Sequence, residues 1–189
     1  MAADQKKTRR LGAYRAFVDE SGFLLIPTVR RTWAPRGKTP LLYHSYRRDR
    51  LSTISALTVS PAQARLSLYV RFHSTNLTGV EVLDFLRHLR RHFHRPIVLL
   101  WDGGPIHCRR LVKEYIAHNR LRLHVYRFPA YAPELNPSEY VWTQSKASLA
   151  NATPKDIEEL NDALRAALAR IGSSQQLLKA CLRRSTLFF

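Results

Sequence analysis

Five apolar residues in a row, Ile97-Val98-Leu99-Leu100-Trp101, run into Asp102-Gly103-Gly104-Pro105. An unbroken apolar run of this length predicts a short strand covered on both faces, as in a sheet with helices above and below. Just upstream, Thr78 and Glu81 form a capping box. Val82, Phe85, Leu86, Leu89 and Phe93 follow at helical spacing until Pro96 stops them. Downstream, Gly103-Gly104-Pro105 predicts the start of a helix running to about Asn119. Leu121, Leu123 and Val125 then alternate with polar residues as in a strand. Asn136-Pro137 and Thr153-Pro154 each open a further helix, the second with Ile157, Leu160, Leu164, Leu168 and Ile171 along one stripe. A last helical stretch covers roughly Ser174 to Arg184.

The earlier part of the chain lacks such helices. Arg15 to Val18 and Phe23 to Ile26 read as two strands separated at Gly22, and Leu51 to Val59 as another. Leu66, Leu68, Val70 and Phe72 mark a strand with one buried face. Early strands without intervening helices predict an antiparallel start, and the later helical crossovers predict parallel additions. The expected fold is α/β, a mixed sheet with helices on both faces. Residues 1–13 are polar and basic and read as a flexible lead-in, leaving residues 14–189 as one domain.

Composition narrows the function. Of 189 residues, 31 are Lys or Arg and 14 Asp or Glu, a formal net charge of +17. Arg outnumbers Lys by 24 to 7, and guanidinium pairs with phosphate through two parallel hydrogen bonds. GC-rich coding would also favour Arg. The excess is uneven: residues 1–50 carry +8 and residues 151–171 carry −1. Such concentration predicts a nucleic-acid-binding face. Two cysteines, Cys108 and Cys181, fit neither a disulfide scaffold nor a zinc finger. No apolar run approaches the roughly 20 residues of a membrane span, and no secretory signal is seen.

In so basic a chain the acids stand out. Asp19 falls at the end of a strand, Asp102 at the end of the most apolar one, and Glu139 in the first turn of a helix. Ligand sites in open α/β sheets collect beyond the carboxyl ends of strands. Three carboxylates there suit divalent cations and a phosphodiester. Each also has an ordinary reading: Asp19 and Asp102 as turn residues, and Glu139 as the capping partner of Asn136.

Four segments, in order, resemble the catalytic domain of DDE transposases of the mariner superfamily, on its bacterial insertion-sequence branch. They are Phe17-Val18-Asp19-Glu20-Ser21-Gly22, Arg31-Thr32-Trp33-Ala34-Pro35-Arg36-Gly37, Leu100-Trp101-Asp102 with Pro105-Ile106-His107, and the run from Pro129 to Trp142 containing Asn136-Pro137-Ser138-Glu139. The resemblance implies an RNase H-like fold with a five-stranded sheet. It also implies two Mg²⁺ ions, replaceable by Mn²⁺, held by Asp19, Asp102 and Glu139 as catalytic and metal-binding acids. The implied reaction is DNA cleavage at transposon ends followed by strand transfer into target DNA, by a homodimer on DNA. The implied location is cytoplasmic, at the bacterial nucleoid. The family's usual Asn after the second Asp is Gly103 here. Relatives carry helix-turn-helix modules ahead of the first Asp, and 18 residues precede Asp19 here, so a separate helix-turn-helix polypeptide is an expected partner. The alternatives are a non-catalytic DNA-binding remnant, another RNase H-like nuclease, and an RNA-binding module, for which no signature exists.

Arg30, Arg31, Arg36 and Lys38 around Trp33 read as a DNA-contacting loop or loose hairpin, with packing of Trp33 on the sheet as the alternative. Arg109 and Arg110, at the start of the next helix, are further candidates for the substrate backbone. His107 reads as a surface or helix-face residue, with assistance at the metal site, one helical turn from Asp102, as the alternative, and Val141 and Trp142 read as core.

Overall fold

The computed structural model describes residues 2–26, 28–42, 49–62, 65–129 and 132–185, the side chains of residues 2–5 excepted. Five strands form one sheet: β1 (Tyr14–Leu24), β2 (Arg50–Val59), β3 (Leu66–His73), β4 (Ile97–Trp101) and β5 (Leu123–Arg127). Their order across the sheet is β3-β2-β1-β4-β5. The β1–β2 and β2–β3 pairs are antiparallel, and β1–β4 and β4–β5 are parallel. The antiparallel start and parallel continuation follow from where the helices fall in the chain.

Two apolar cores lie on opposite faces. Phe17, Leu57, Val98 and Leu100 pack under α4 (Pro137–Ser148), α5 (Ile157–Ser173) and α6 (Gln175–Arg184). Ala16, Val18, Leu99 and Trp101 pack under α2 (Gly79–His92) and α3 (Arg110–His118). Successive strand residues point to opposite faces, so β4 feeds both cores and must be apolar throughout. All five of its residues are buried.

Three elements differ from the sequence reading. β1 is one strand of 11 residues, without a break at Gly22. Gly22 pairs with Ser52, and the Arg50 guanidinium lies where a Cβ would stand, 2.6 Å away at Nε. The glycine therefore makes room for Arg50 instead of ending the strand. Asp19, paired with Ser55, is consequently a strand residue and not a turn cap. The basic lead-in forms a helix, α1 (Ala2–Leu11), closed by the Ala13 N–H on Thr8 O at 3.0 Å; Leu11 packs on the core. Finally, α3 starts at Arg110, not Pro105. Gly103 takes φ +78°, the Gly104 N–H bonds back to Asp102 Oδ1, and turns fill the next residues. The capping box at Thr78 forms as expected, and Asp156, three residues after Thr153, caps α5.

Candidate active site

The ladder between β1 and β4 ends at the pair Phe17–Leu100. Two residues on along each strand stand Asp19 and Asp102. Period-two alternation puts both on the face that Phe17 and Leu100 occupy, the face of α4. Helix α4 is fastened there by two side chains one turn apart. Ser138 Oγ donates to Phe17 O at 2.9 Å, and Trp142 Nε1 donates to Asp19 Oδ2 at 2.9 Å. Pro137 begins the helix, and Asn136 caps it by accepting from the Ser138 N–H at 3.2 Å. Glu139, next to the anchored Ser138, is left exposed at the mouth of the cleft.

Asp19, Asp102 and Glu139 line one cleft of about 600 Å³, together with Gly103, Gly104, Pro105, Phe128 and the loop before α4. Ala130 and Tyr131 of that loop lie outside the described residues. The environments of Asp19 and Asp102 differ. Burial pushes Asp19 up to about 8, helped by the nearby charges of Glu139 and Glu20 and opposed by the Trp142 indole. Asp102 is exposed and held below the ordinary carboxylate range, chiefly by the His107 side chain and also by the Gly104 N–H. Among the described residues, no three His, Cys, Asp or Glu side chains converge tightly enough to make a ready metal cage.

His107 is neither a surface nor a helical residue. It is buried, its ring stacked on Trp101 at 4.1 Å and 3°. Nε2 lies 2.9 Å from Glu20 Oε1, and Nδ1 lies 3.0 Å from Asp102 Oδ1. Burial pulls its pKa down, but the two acids outweigh this and raise it to about 9. Gly103, in place of the family's Asn, sits with the Arg127 side chain where its Cβ would be, 2.9 Å from Cδ.

The basic candidates lie outside the cleft. Arg30, Arg31, Trp33, Arg36 and Lys38 are all exposed on residues 28–42, which carry no helix or strand. Pro27 of this loop falls outside the described residues. Trp33 is 99% exposed, so it does not pack on the sheet. The base of the segment is held by Asn151. Its Oδ1 accepts from the Arg30 N–H at 2.8 Å, and its Nδ2 donates to Arg30 O at 3.0 Å. Arg109 packs against Gly79 and Arg110 pairs with Glu114 at 2.6 Å; neither lines the cleft. Glu20, Ser138 and the indole N–H of Trp142 were not singled out from sequence as parts of the site. Their only sequence signal is position, beside Asp19, beside Glu139, and one turn after Ser138.

A family model described as DDE superfamily endonuclease matches residues 15–161, spanning all three acids. The chain belongs to this DDE endonuclease family. No curated protein matches it. Solved structures with the same fold include the mariner Mos1 paired end complex with Mg, at 16% identity and a TM-score of 0.58, covering 100% of this chain and 60% of that one. The Mos1 strand transfer complex matches at 16% identity and TM-score 0.56, covering 98% and 62%. The catalytic domain of Mos1 mariner transposase matches at 13% identity and TM-score 0.53, covering 100% and 91%. This DDE chain thus spans about three fifths of the full-length Mos1 chains. No helix among its described residues is long and apolar enough to cross a membrane.

Proposed function

We propose that this chain is the catalytic domain of a transposase that cleaves DNA at transposon ends and transfers the freed strand into target DNA. The observation that carries the reading is the shared cleft of Asp19, Asp102 and Glu139 in a DDE-family chain of net charge +17. The donor set suits Mg²⁺, or Mn²⁺ in its place. It is all carboxylate oxygen, and Asp19, raised by burial and further by the charges of Glu139 and Glu20, is favoured as a carboxylate by a cation. Mg²⁺ takes one or two carboxylates and completes its shell with water and substrate phosphate. Bound there, two such ions supply activation of the attacking oxygen and stabilisation of the leaving one.

The chain's own residues do the placing. Trp142 orients Asp19, the fastened N-terminus of α4 presents Glu139, and β4 delivers Asp102. Arg30, Arg31, Arg36 and Lys38 take backbone phosphates, with Trp33 available to stack on bases; Arg109 and Arg110 add cations beyond the cleft. Residues 14–189 act as the catalytic unit. A homodimer on DNA, at the bacterial nucleoid in the cytoplasm, brings two ends together. A DNA-binding remnant is the competing reading, favoured by Gly103, where the family usually has Asn. Nicking of supercoiled plasmid separates the two. Metal-dependent nicking, abolished in Asp19→Asn, Asp102→Asn and Glu139→Gln, supports the transposase reading. Tight DNA binding with no nicking by the wild type contradicts it.

A further inference from the structure

Backbone pairing between β1 and β4 stops at Phe17–Leu100, two residues short of both acids. Beyond that pair β1 runs on to Leu24 beside β2 while β4 ends at Trp101, and no β1–β4 pair sets the distance from Glu20 to Asp102. A side-chain bridge stands where the ladder is missing. Glu20, next to Asp19 on β1, reaches His107 Nε2 at 2.9 Å, and His107 Nδ1 reaches Asp102 Oδ1 at 3.0 Å. The imidazole between them is held flat on Trp101, the last residue of β4. Asp102 Oδ1 also accepts from the Gly104 N–H at 2.8 Å. Both contacts fall on one oxygen and leave Oδ2 for the cleft.

We propose that His107 is a positioning residue, which with Glu20 ties the middle of β1 to the residues just after β4 and fixes the orientation of Asp102 toward a divalent cation. The idea rests on the functional reading above. Its physical logic is that of outer groups that orient a metal-binding carboxylate, whose loss typically weakens metal binding about 10- to 100-fold. A core histidine serving only to fill space would need neither carboxylate. Nε2 is hydrogen-bonded to Glu20, and Nδ1, buried with no hydrogen-bond partner among the described residues, stands in ion-pair range of Asp102, which argues that both nitrogens are used.

The test separates shape from hydrogen bonding. His107→Phe keeps an aromatic ring on Trp101 and removes both nitrogens. Glu20→Gln keeps the size of a partly exposed side chain and removes its charge. Mn²⁺ binding to the full chain is titrated by electron paramagnetic resonance, beside thermal melting and metal-free DNA binding. The expected result is an Mn²⁺ dissociation constant raised about 10-fold or more in His107→Phe and less in Glu20→Gln. DNA affinity should change less than about twofold, and nicking should recover in part at high Mn²⁺. Wild-type Mn²⁺ affinity in a folded His107→Phe overturns the proposal. If that variant does not fold, unchanged affinity in Glu20→Gln overturns it equally. Asp19→Asn and Asp102→Asn mark the underlying reading separately. If they too bind Mn²⁺ normally, the metal site itself is wrong; if only they lose it, the clasp alone fails.

Discussion

Two tryptophans show how differently this chain treats its two candidate functional regions. Trp142 is 2% exposed, and its indole N–H is spent on Asp19. Trp33 is 99% exposed, in a segment with neither helix nor strand, among Arg30, Arg31, Arg36 and Lys38. The acids sit where strands, a helix cap and buried hydrogen bonds determine their positions. The basic residues sit on a surface segment tied at its base by Asn151. The contrast follows from the chemistry. Phosphoryl chemistry depends on placement at the ångström scale, and a misplacement of about 1 Å can cost 100-fold. Phosphate contacts work through long-range charge and tolerate a loosely held partner.

The largest expected effect is on the buried side. Trp142→Ala should cost about 3–5 kcal/mol of stability, measured by urea denaturation, since it removes a buried aromatic and its hydrogen bond. The same change at Trp33 should stay within about 0.5 kcal/mol. Equal costs would break the contrast. Next comes the arm. Replacing Arg30, Arg31, Arg36 and Lys38 together by Gln should weaken DNA binding uniformly over sequences. It should also flatten the log–log salt slope by up to about 4, at about 0.9 per lost contact on duplex DNA. An unchanged slope would remove the arm from the DNA interface.

Trp142→Phe sharpens the comparison further. It keeps most of the packing and deprives Asp19 of its donor. Measured above the Asp19 pKa of about 8, where the carboxylate is charged, stability should fall by about 1.5–3 kcal/mol, the worth of a hydrogen bond to a charged group, while nicking at fixed Mg²⁺ slows. A smaller effect than that of Trp142→Phe belongs to Asn151→Ala, which loses the clamp on Arg30 and puts Ala at φ +61°. A stability loss of about 1–2 kcal/mol is expected by denaturation, with catalytic competence on short DNA retained.

What could be read without the structure divides along the same line. The sheet end that carries Asp102 was legible, because a strand buried on both faces has no choice but to be apolar. The start of α4 was legible from Asn136-Pro137. Gly22 misled, since a glycine that ends a strand and one that makes room for an arginine look alike in sequence. Pro105 misled as a helix start because Gly103, at positive φ, and the turns that follow use up the residues before Arg110. The burial of His107 was not legible. It depends on a ring stacked across from Trp101 and on Glu20, 87 positions away. Trp33 could be placed only by seeing that nothing in the fold comes near enough to bury it.

The most direct test of the central claim, that Asp19, Asp102 and Glu139 act on one bound cation cluster, is affinity cleavage. Fe²⁺ is loaded in place of Mg²⁺, ascorbate and peroxide are added, and backbone cuts are mapped by mass spectrometry. Cuts in three separate segments, around residues 19, 102 and 139, all suppressed by excess Mg²⁺, are predicted. Cuts confined to one segment, or indifferent to Mg²⁺, would contradict a shared metal site.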